Sequence, residues 1–379
     1  MKLAQLIAFS LLLSHVTLAQ NPDCRQSWMP TDSPAFCSWQ PEPALPESRT
    51  YLAVATSDNH IYVLGGYRFD ASTSNVIYYD SVVRSTIGGD GRLSPWTPEA
   101  SFKSARSGAA AVTFGKCMFL SGGSSSTPTS SVAYYDDVQY ARIEGSGRLS
   151  SWTTSPNRLK TPRSNHTLVA VRTDQGTFLN VVAGVTQIGS DTVHLDTIEV
   201  ARIGTDCSVG EWKIANFHLK GGRSSPQALA VRNNVVVIGG WGDLDLIDVF
   251  NDVQIAAPGA DGTPAPWRTS PGHLTTGIYG HATVFAELEK QTSMLLSIGG
   301  QPGTGAYANW ISYAYVVPNL TVADAIGIWR IAPSGKLPTG RAGIGAAYSR
   351  ARVYVIGGND ASGQYYRDVL SARFDFGRP

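Results

Sequence analysis

Val63-Leu64-Gly65-Gly66 ends an apolar run in two adjacent glycines, and the phrase returns five times along the chain. The other copies are Leu120-Ser121-Gly122-Gly123, Val182-Ala183-Gly184, Val237-Ile238-Gly239-Gly240, Ser297-Ile298-Gly299-Gly300 and Val355-Ile356-Gly357-Gly358. A tryptophan keeps the same rhythm, at Trp39, Trp96, Trp152, Trp212, Trp267 and Trp329, at intervals of about 60 residues. Each unit opens on a small-residue strand introduced by Arg49, Arg106, Arg163, Arg223, Tyr279 or Arg341. A Gly-rich turn precedes the tryptophan, as in Asp90-Gly91-Arg92-Leu93-Ser94-Pro95-Trp96. Two independent markers with one period predict six units of four short antiparallel strands. Radially repeated four-stranded sheets form a six-bladed β-propeller, an all-β fold in which the paired glycines let neighbouring backbones approach near the axis.

Trp39 stands before the first complete unit, and the last unit stops at Val369-Leu370-Ser371-Ala372-Arg373-Phe374 without a tryptophan. The segment around Trp39 is therefore expected to supply the outer strand of the final blade and close the ring, which removes exposed strand edges. The paired glycines, the inner-strand arginine and the late tryptophan resemble the kelch-like propeller pattern across residues 39 to 376.

Composition agrees with many short strands: 39 glycines, 10% aromatic and only 16% charged residues. The net charge of +1 with scattered basic residues gives no footprint for nucleic acid or for an acidic membrane surface. Lys2, the apolar run Leu3 to Leu13 and the small residues ending at Thr17 and Ala19 read as a signal peptide over 1–19. Residues 20–379 are then one propeller domain, secreted or held in the secretory lumen, with no later run long enough to span a bilayer. In that compartment Cys24 and Cys37 are expected to close a small loop, and Cys117 and Cys207 form either a second bridge or two buried thiols. Asn165-His166-Thr167 and Asn319-Leu320-Thr321 are glycosylation sequons, Asn319 in the more exposed setting. No cysteine or histidine spacing suits a metal, no cofactor-binding motif is present, and Asp243, Asp245 and Asp248 read as a solvated loop.

Function is sought where the repeats differ. Two residues after the arginine the six units carry Tyr51, Gly108, Asn165, Ser225, His281 and Gly343, small groups around an open funnel with Tyr51 and His281 as the large exceptions. After the glycine pair come Tyr67, Ser124, Val185, Trp241, Gln301 and Asn359. Trp241 and Trp310 fall off the tryptophan period, and Tyr365 and Tyr366 occupy a similar loop, so an aromatic-lined mouth for a small molecule is expected. His281 and Tyr51 are the acid/base candidates. Tyr67, Trp241, Trp310, Ser225, Gln301 and Asn359 are candidate contacts. The repeated arginines brace the scaffold in kelch-like repeats; at the funnel, Arg163 and Arg223 would instead meet an anionic or enolic ligand.

Three functions fit such a chain. One is an adaptor presenting its loop face to a protein or glycan. Another resembles the periplasmic sialic acid mutarotases, which would need a carboxylate at the funnel, yet no inner-strand or post-glycine position carries Glu. The third is a resemblance to the secreted fungal propeller hetero-Diels-Alderases, carried by one compact six-bladed unit, a leader, a sequon and no lid insertion. That resemblance implies an enzyme without cofactor that joins a tropolone quinone methide to humulenol.

Overall fold

The computed structural model describes residues 24–126, 132–242, 249–289, 292–317 and 325–376. The expected signal peptide, Asn319 and the Asp243–Asp248 cluster lie outside the described residues.

Six antiparallel four-stranded blades are present. Blade 1 runs from the inner strand Ala53–Ser57 through His60–Leu64 and Val82–Thr86 to the outer Thr97–Glu99. Blades 2 to 5 repeat this order from inner strands at Ala110–Phe114, Thr167–Thr173, Gln227–Val231 and Ala282–Glu289. Blade 6 takes Gly345–Ser349, Arg352–Ile356 and Val369–Asp375 from the C-terminal end. Its outer strand is Gln40–Glu42, with Gln40 opposite Ser371 and Glu42 opposite Val369. The segment beside Trp39 therefore closes the ring, as its solitary position predicts. Ala35–Phe36 adds a second pairing to the same strand.

Second strands are mostly apolar and buried because both their faces are covered by neighbouring blades. Six buried clusters result, one at each blade interface: Ala53, Tyr62, Met118 and Leu120 between blades 1 and 2, for example, and Phe36, Met294, Leu296 and Val353 between blades 5 and 6.

Glycine is required where these sheets converge. The second glycine of each pair donates its N–H to the next blade at 2.8–2.9 Å: Gly66 to Arg106 O, Gly123 to Arg163 O, Gly184 to Arg223 O, Gly240 to Ile278 O, Gly300 to Arg341 O and Gly358 to Arg49 O. Gly66 has φ +91°, and a Cβ there would sit 2.8 Å from Thr50 O. Six such bonds make the ring continuous.

The tryptophans work at the rim. Trp39, Trp96, Trp152 and Trp267 donate their indole N–H to Gly335 O, Pro43 O, Ala100 O and Phe217 O of the preceding blade's outer segment. Trp212 and Trp329 are buried.

Both cysteine pairs are disulfides, Cys24–Cys37 and Cys117–Cys207. The second joins blade 2 to a turn of blade 3 across 90 residues. A loop of that length restricts the unfolded chain strongly, so Cys117→Ser with Cys207→Ser is expected to lower the unfolding free energy by about 4 kcal/mol. Denaturant melts of the two proteins measure the difference.

Candidate functional site

The repeated arginines belong to the blades. Arg106 pairs with Asp137 at 2.5 Å, donates to Gly122 O at 3.0 Å, and lies 3.9 Å from the centre of the Tyr135 ring. Arg223 repeats the arrangement with Asp252, Gly239 O and Phe250, and Arg341 with Asp368, Gly357 O and Tyr366. Arg163 pairs with Glu199 at 2.6 Å and donates to Ala183 O. Arg163 and Arg223 are fully buried. The expectation that they meet a ligand is therefore corrected: both guanidiniums are held between strands, and neither opens to the funnel.

Blade 5 solves the same position differently. The residue whose carbonyl accepts the glycine N–H is Ile278, not Tyr279, and the slot filled by Asp137, Asp252 or Asp368 elsewhere holds Trp310, whose carbonyl accepts from Gly299 N. Ile278 and Trp310 share one hydrophobic cluster. An apolar pair replaces the ion pair. Trp310 is thus a packing residue, which corrects its reading as a ligand platform.

The same one-residue shift moves His281. Around the axis Tyr51, Gly108, Asn165, Ser225, Gly280 and Gly343 form a closed circle in which each N–H bonds the preceding carbonyl, Tyr51 to Gly343 O at 2.8 Å round to Gly343 to Gly280 O at 2.8 Å. All six have φ between +48° and +61°. The expected open funnel is a backbone floor. Gly280 takes the place assigned to His281, which lies one residue deeper, is 1% exposed, and has no hydrogen-bond partner at either ring nitrogen. Burial holds its pKa down to about 3, so the imidazole is neutral at neutral pH and is closed off from the mouth. His166 occupies the equivalent place in blade 3, also lowered to about 3 by burial and by Arg163, with Nε2 2.8 Å from Ser121 Oγ.

Outside the floor lies a second circle. The residue before each floor position bridges to the residue after a glycine pair: Thr50 with Tyr67, Ser107 with Ser124, Ser164 with Val185, Ser224 with Trp241, Tyr279 with Gln301 and Ala342 with Asn359. The two zones read from the sequence are thereby brought together. Ser225 is a floor residue; Tyr67, Trp241, Gln301 and Asn359 stand in the surrounding circle. Asn359 Oδ1 accepts from Thr50 Oγ1 at 2.8 Å.

Aromatic rings dominate one side of this mouth. Tyr51 stacks on Tyr67 at 6.2 Å, and Tyr67 touches Tyr78 and Tyr365, each at 5.9 Å. Trp241 lies 5.7 Å from Tyr279 and 4.9 Å from His194. Tyr51 and Tyr67 phenols are pushed well up, first by burial and then by neighbouring tyrosines including Tyr307 and Tyr365. They stay protonated far above neutral pH. No position in either circle is Asp, Glu, Lys or Arg. The two circles are free of charged side chains, aromatic on one side and floored by paired backbone.

Tyr78, Tyr279 and Tyr307 were not legible as site residues. Tyr279 was hidden by its placement in the arginine slot; Tyr78, at the end of the strand Asn75–Tyr78, and Tyr307 share one repeat position with Tyr134, His194 and Tyr365, each just before the residue whose N–H bonds the carbonyl of the second glycine. Tyr366, by contrast, stacks on Arg341 within its blade.

Residues 48–84 match the kelch motif. The match spans the repeat arginine Arg49 and the first glycine pair. Among solved structures the chain is similar to one described as the structure of YjhT, with 14% identity, a TM-score of 0.62, and coverage of 88% of this chain and 99% of that one. That likeness shows the propeller fold. None of the curated proteins matches the chain in sequence. Among the described residues no helix is long and apolar enough to cross a membrane, and the two disulfides are compatible with secretion.

Proposed function

We propose that this kelch-type propeller binds small, uncharged, unsaturated molecules in its loop-face mouth, and that it acts there as a secreted hetero-Diels-Alderase joining a tropolone o-quinone methide to a humulene-type alcohol. The observation that carries the reading is the aromatic arc of Tyr78, Tyr67, Tyr365, Tyr51, Tyr279 and Trp241 over an uncharged floor. Flat π-systems stack on such an arc, and apolar partners gain from leaving water.

The chemistry needs few protein groups. A hydroxymethyl tropolone loses its hydroxyl as water, with the ring hydroxyl giving up its proton, and the quinone methide remains. Tyr51 serves this step as hydrogen-bond donor to the departing oxygen, because its phenol stays protonated in the mouth. Cycloaddition then forms one C–C and one C–O bond with no outside oxidant or cofactor. Holding both partners in contact supplies effective molarity.

Tyr67→Ala and Trp241→Ala are each expected to slow product formation from the hydroxymethyl tropolone and humulenol at least tenfold, on the order of 1.4 kcal/mol of lost stacking. Chromatography of timed reactions reads the rate. Unchanged rates in both variants would remove the mouth from the reaction.

A non-catalytic reading has its own support. Phe69 and Ile188 are exposed on hairpins of the loop face, Ile188 by 62%, and suit a protein or glycan partner.

A further inference from the structure

A third circle stands outside the other two. The residue just before each N–H that bonds the second glycine's carbonyl is Tyr78, Tyr134, His194, Val249, Tyr307 or Tyr365, one from each blade. In blades 1, 2 and 3 it also pairs with the residue after the glycines: Tyr78 with Tyr67, Tyr134 with Ser124 and His194 with Val185. Four blades place a phenol here, and blade 3 places an imidazole. The exchange changes the chemistry on offer, because a phenol keeps its proton at neutral pH whereas histidine ordinarily gains and loses one there.

His194 stands among the aromatic groups of the mouth. Its ring meets that of Trp241 nearly at right angles with centres 4.9 Å apart, and Trp241 lies 5.7 Å from Tyr279. Tyr78 and Tyr365 hold the same relation to Tyr67, each at 5.9 Å. Tyr279 in turn is near enough to Tyr51 to help hold its phenol up, after burial and Tyr67. Tyr51, Tyr279, Trp241 and His194 therefore follow one another from the floor to the outer circle of blade 3. No other position in the three circles is His, Asp, Glu, Lys or Arg. Of the charged groups on the adjoining elements, Asp196 pairs with His218 at 3.4 Å and Arg223 with Asp252 at 2.6 Å. Asp191 and Lys220 are exposed, and Lys160 lines the neighbouring cleft beside Tyr134 and Thr186.

We infer that His194 is the proton acceptor of the proposed reaction: a conjugated ring lying beside Trp241 presents its acidic hydroxyl to the His194 imidazole. This rests on the proposed small-molecule chemistry and adds to it the group that takes the proton. The unprotonated imidazole nitrogen accepts the ring-hydroxyl proton, and the O–H electron pair moves into the ring. The C–O bond to the departing hydroxyl breaks, and that oxygen takes the Tyr51 proton and leaves as water. The imidazolium then returns a proton to the Tyr51 phenolate through solvent, so the protein ends as it began and no oxidant is consumed. The substrate class follows: a planar ring with an enolic or phenolic hydroxyl conjugated to the carbon that bears the leaving hydroxyl.

The repeat itself supplies the test, since tyrosine already occupies this position in four blades. His194→Tyr keeps a ring beside Trp241 and removes the base. It is expected to bind tropolone, titrated against intrinsic fluorescence, within threefold of wild type. At pH 7 it should form product from the hydroxymethyl tropolone and humulenol at least tenfold more slowly. His194→Ala, which also serves if the tyrosine variant fails to fold, should lose as much, and imidazole added to the buffer should restore its rate at least threefold. A packing role would give no such rescue. A wild-type rate in either variant, a rate loss matched by an equal loss of tropolone affinity, or no rescue by imidazole overturns the assignment to His194 alone. If the wild type itself neither binds tropolone nor forms product, the small-molecule reading fails and this inference with it.

Discussion

Replacing Arg106 with isoleucine is expected to cost about 3–5 kcal/mol of folding stability, because it leaves the Asp137 carboxylate buried without its cation. Asp137 is the bidentate partner of Arg106, at 2.5 and 3.3 Å, with Gln139 Nε2 as a further donor at 2.8 Å. The informative comparison comes from blade 5, where Ile278, Ala308 and Trp310 stand in the places of Arg106, Tyr135 and Asp137. Grafting that set as Arg106→Ile, Tyr135→Ala and Asp137→Trp is expected to recover most of the loss, since a buried ion pair and a well-packed apolar pair can be nearly equal in energy. Denaturant midpoints of wild type, single variant and graft measure this. A graft as unstable as the single variant would mean that blade 5 tolerates its apolar pair for a reason specific to that interface.

The second large effect depends on acid. His281 and His166 are buried as neutral imidazoles with pKa values near 3, against an ordinary histidine value of 6.5. The unfolded chain therefore takes up these protons first. Stability from both groups is fully present above pH 6.5 and is lost as pH falls from 6.5 toward 3. At pH 4 the loss is about 3 kcal/mol for each imidazole. His281→Leu is compatible with its slot, which holds Leu52 in blade 1 and Ile344 in blade 6. The variant is expected to be at least as stable as wild type at pH 7, because an unpaired buried imidazole is removed. Between pH 7 and pH 4 it should lose about 3 kcal/mol less. Parallel losses in the two proteins would assign the acid sensitivity to other groups.

The fold was legible because scaffold positions repeat. Paired glycines mark a backbone approach made in every blade, arginines and tryptophans a brace and a rim contact made in most, and the lone Trp39 marked the closing strand. The site was half legible. Tyr51, Tyr67, Trp241 and Ser225 do surround the axis, but one substitution concealed the register of blade 5. With no arginine there, Tyr279 passed for its replacement and His281 for a floor residue. The floor's own requirement would have corrected this: its members need positive φ, and Gly280 suits that beside Gly108 and Gly343 better than any histidine. Trp310 misled in the same way. Its neighbours Asn309 and Ile311 match Asn251 and Val253 around Asp252, so the off-period tryptophan is the apolar member of an exchanged pair. The aromatic arc resisted reading for another reason. Tyr78 and Tyr307 stand at unequal distances from the glycine pair, and only an alignment on the third strand, which each precedes by four residues like Tyr134, His194 and Tyr365, brings them into one position.

Ligands are expected to enter the loop-face mouth beside Trp241, where a tropolone titration followed by intrinsic fluorescence detects them. Saturable quenching in wild type, largely lost in Trp241→Phe while thermal stability is unchanged, is the predicted result. No quenching, or the same quenching in Trp241→Phe, would contradict it.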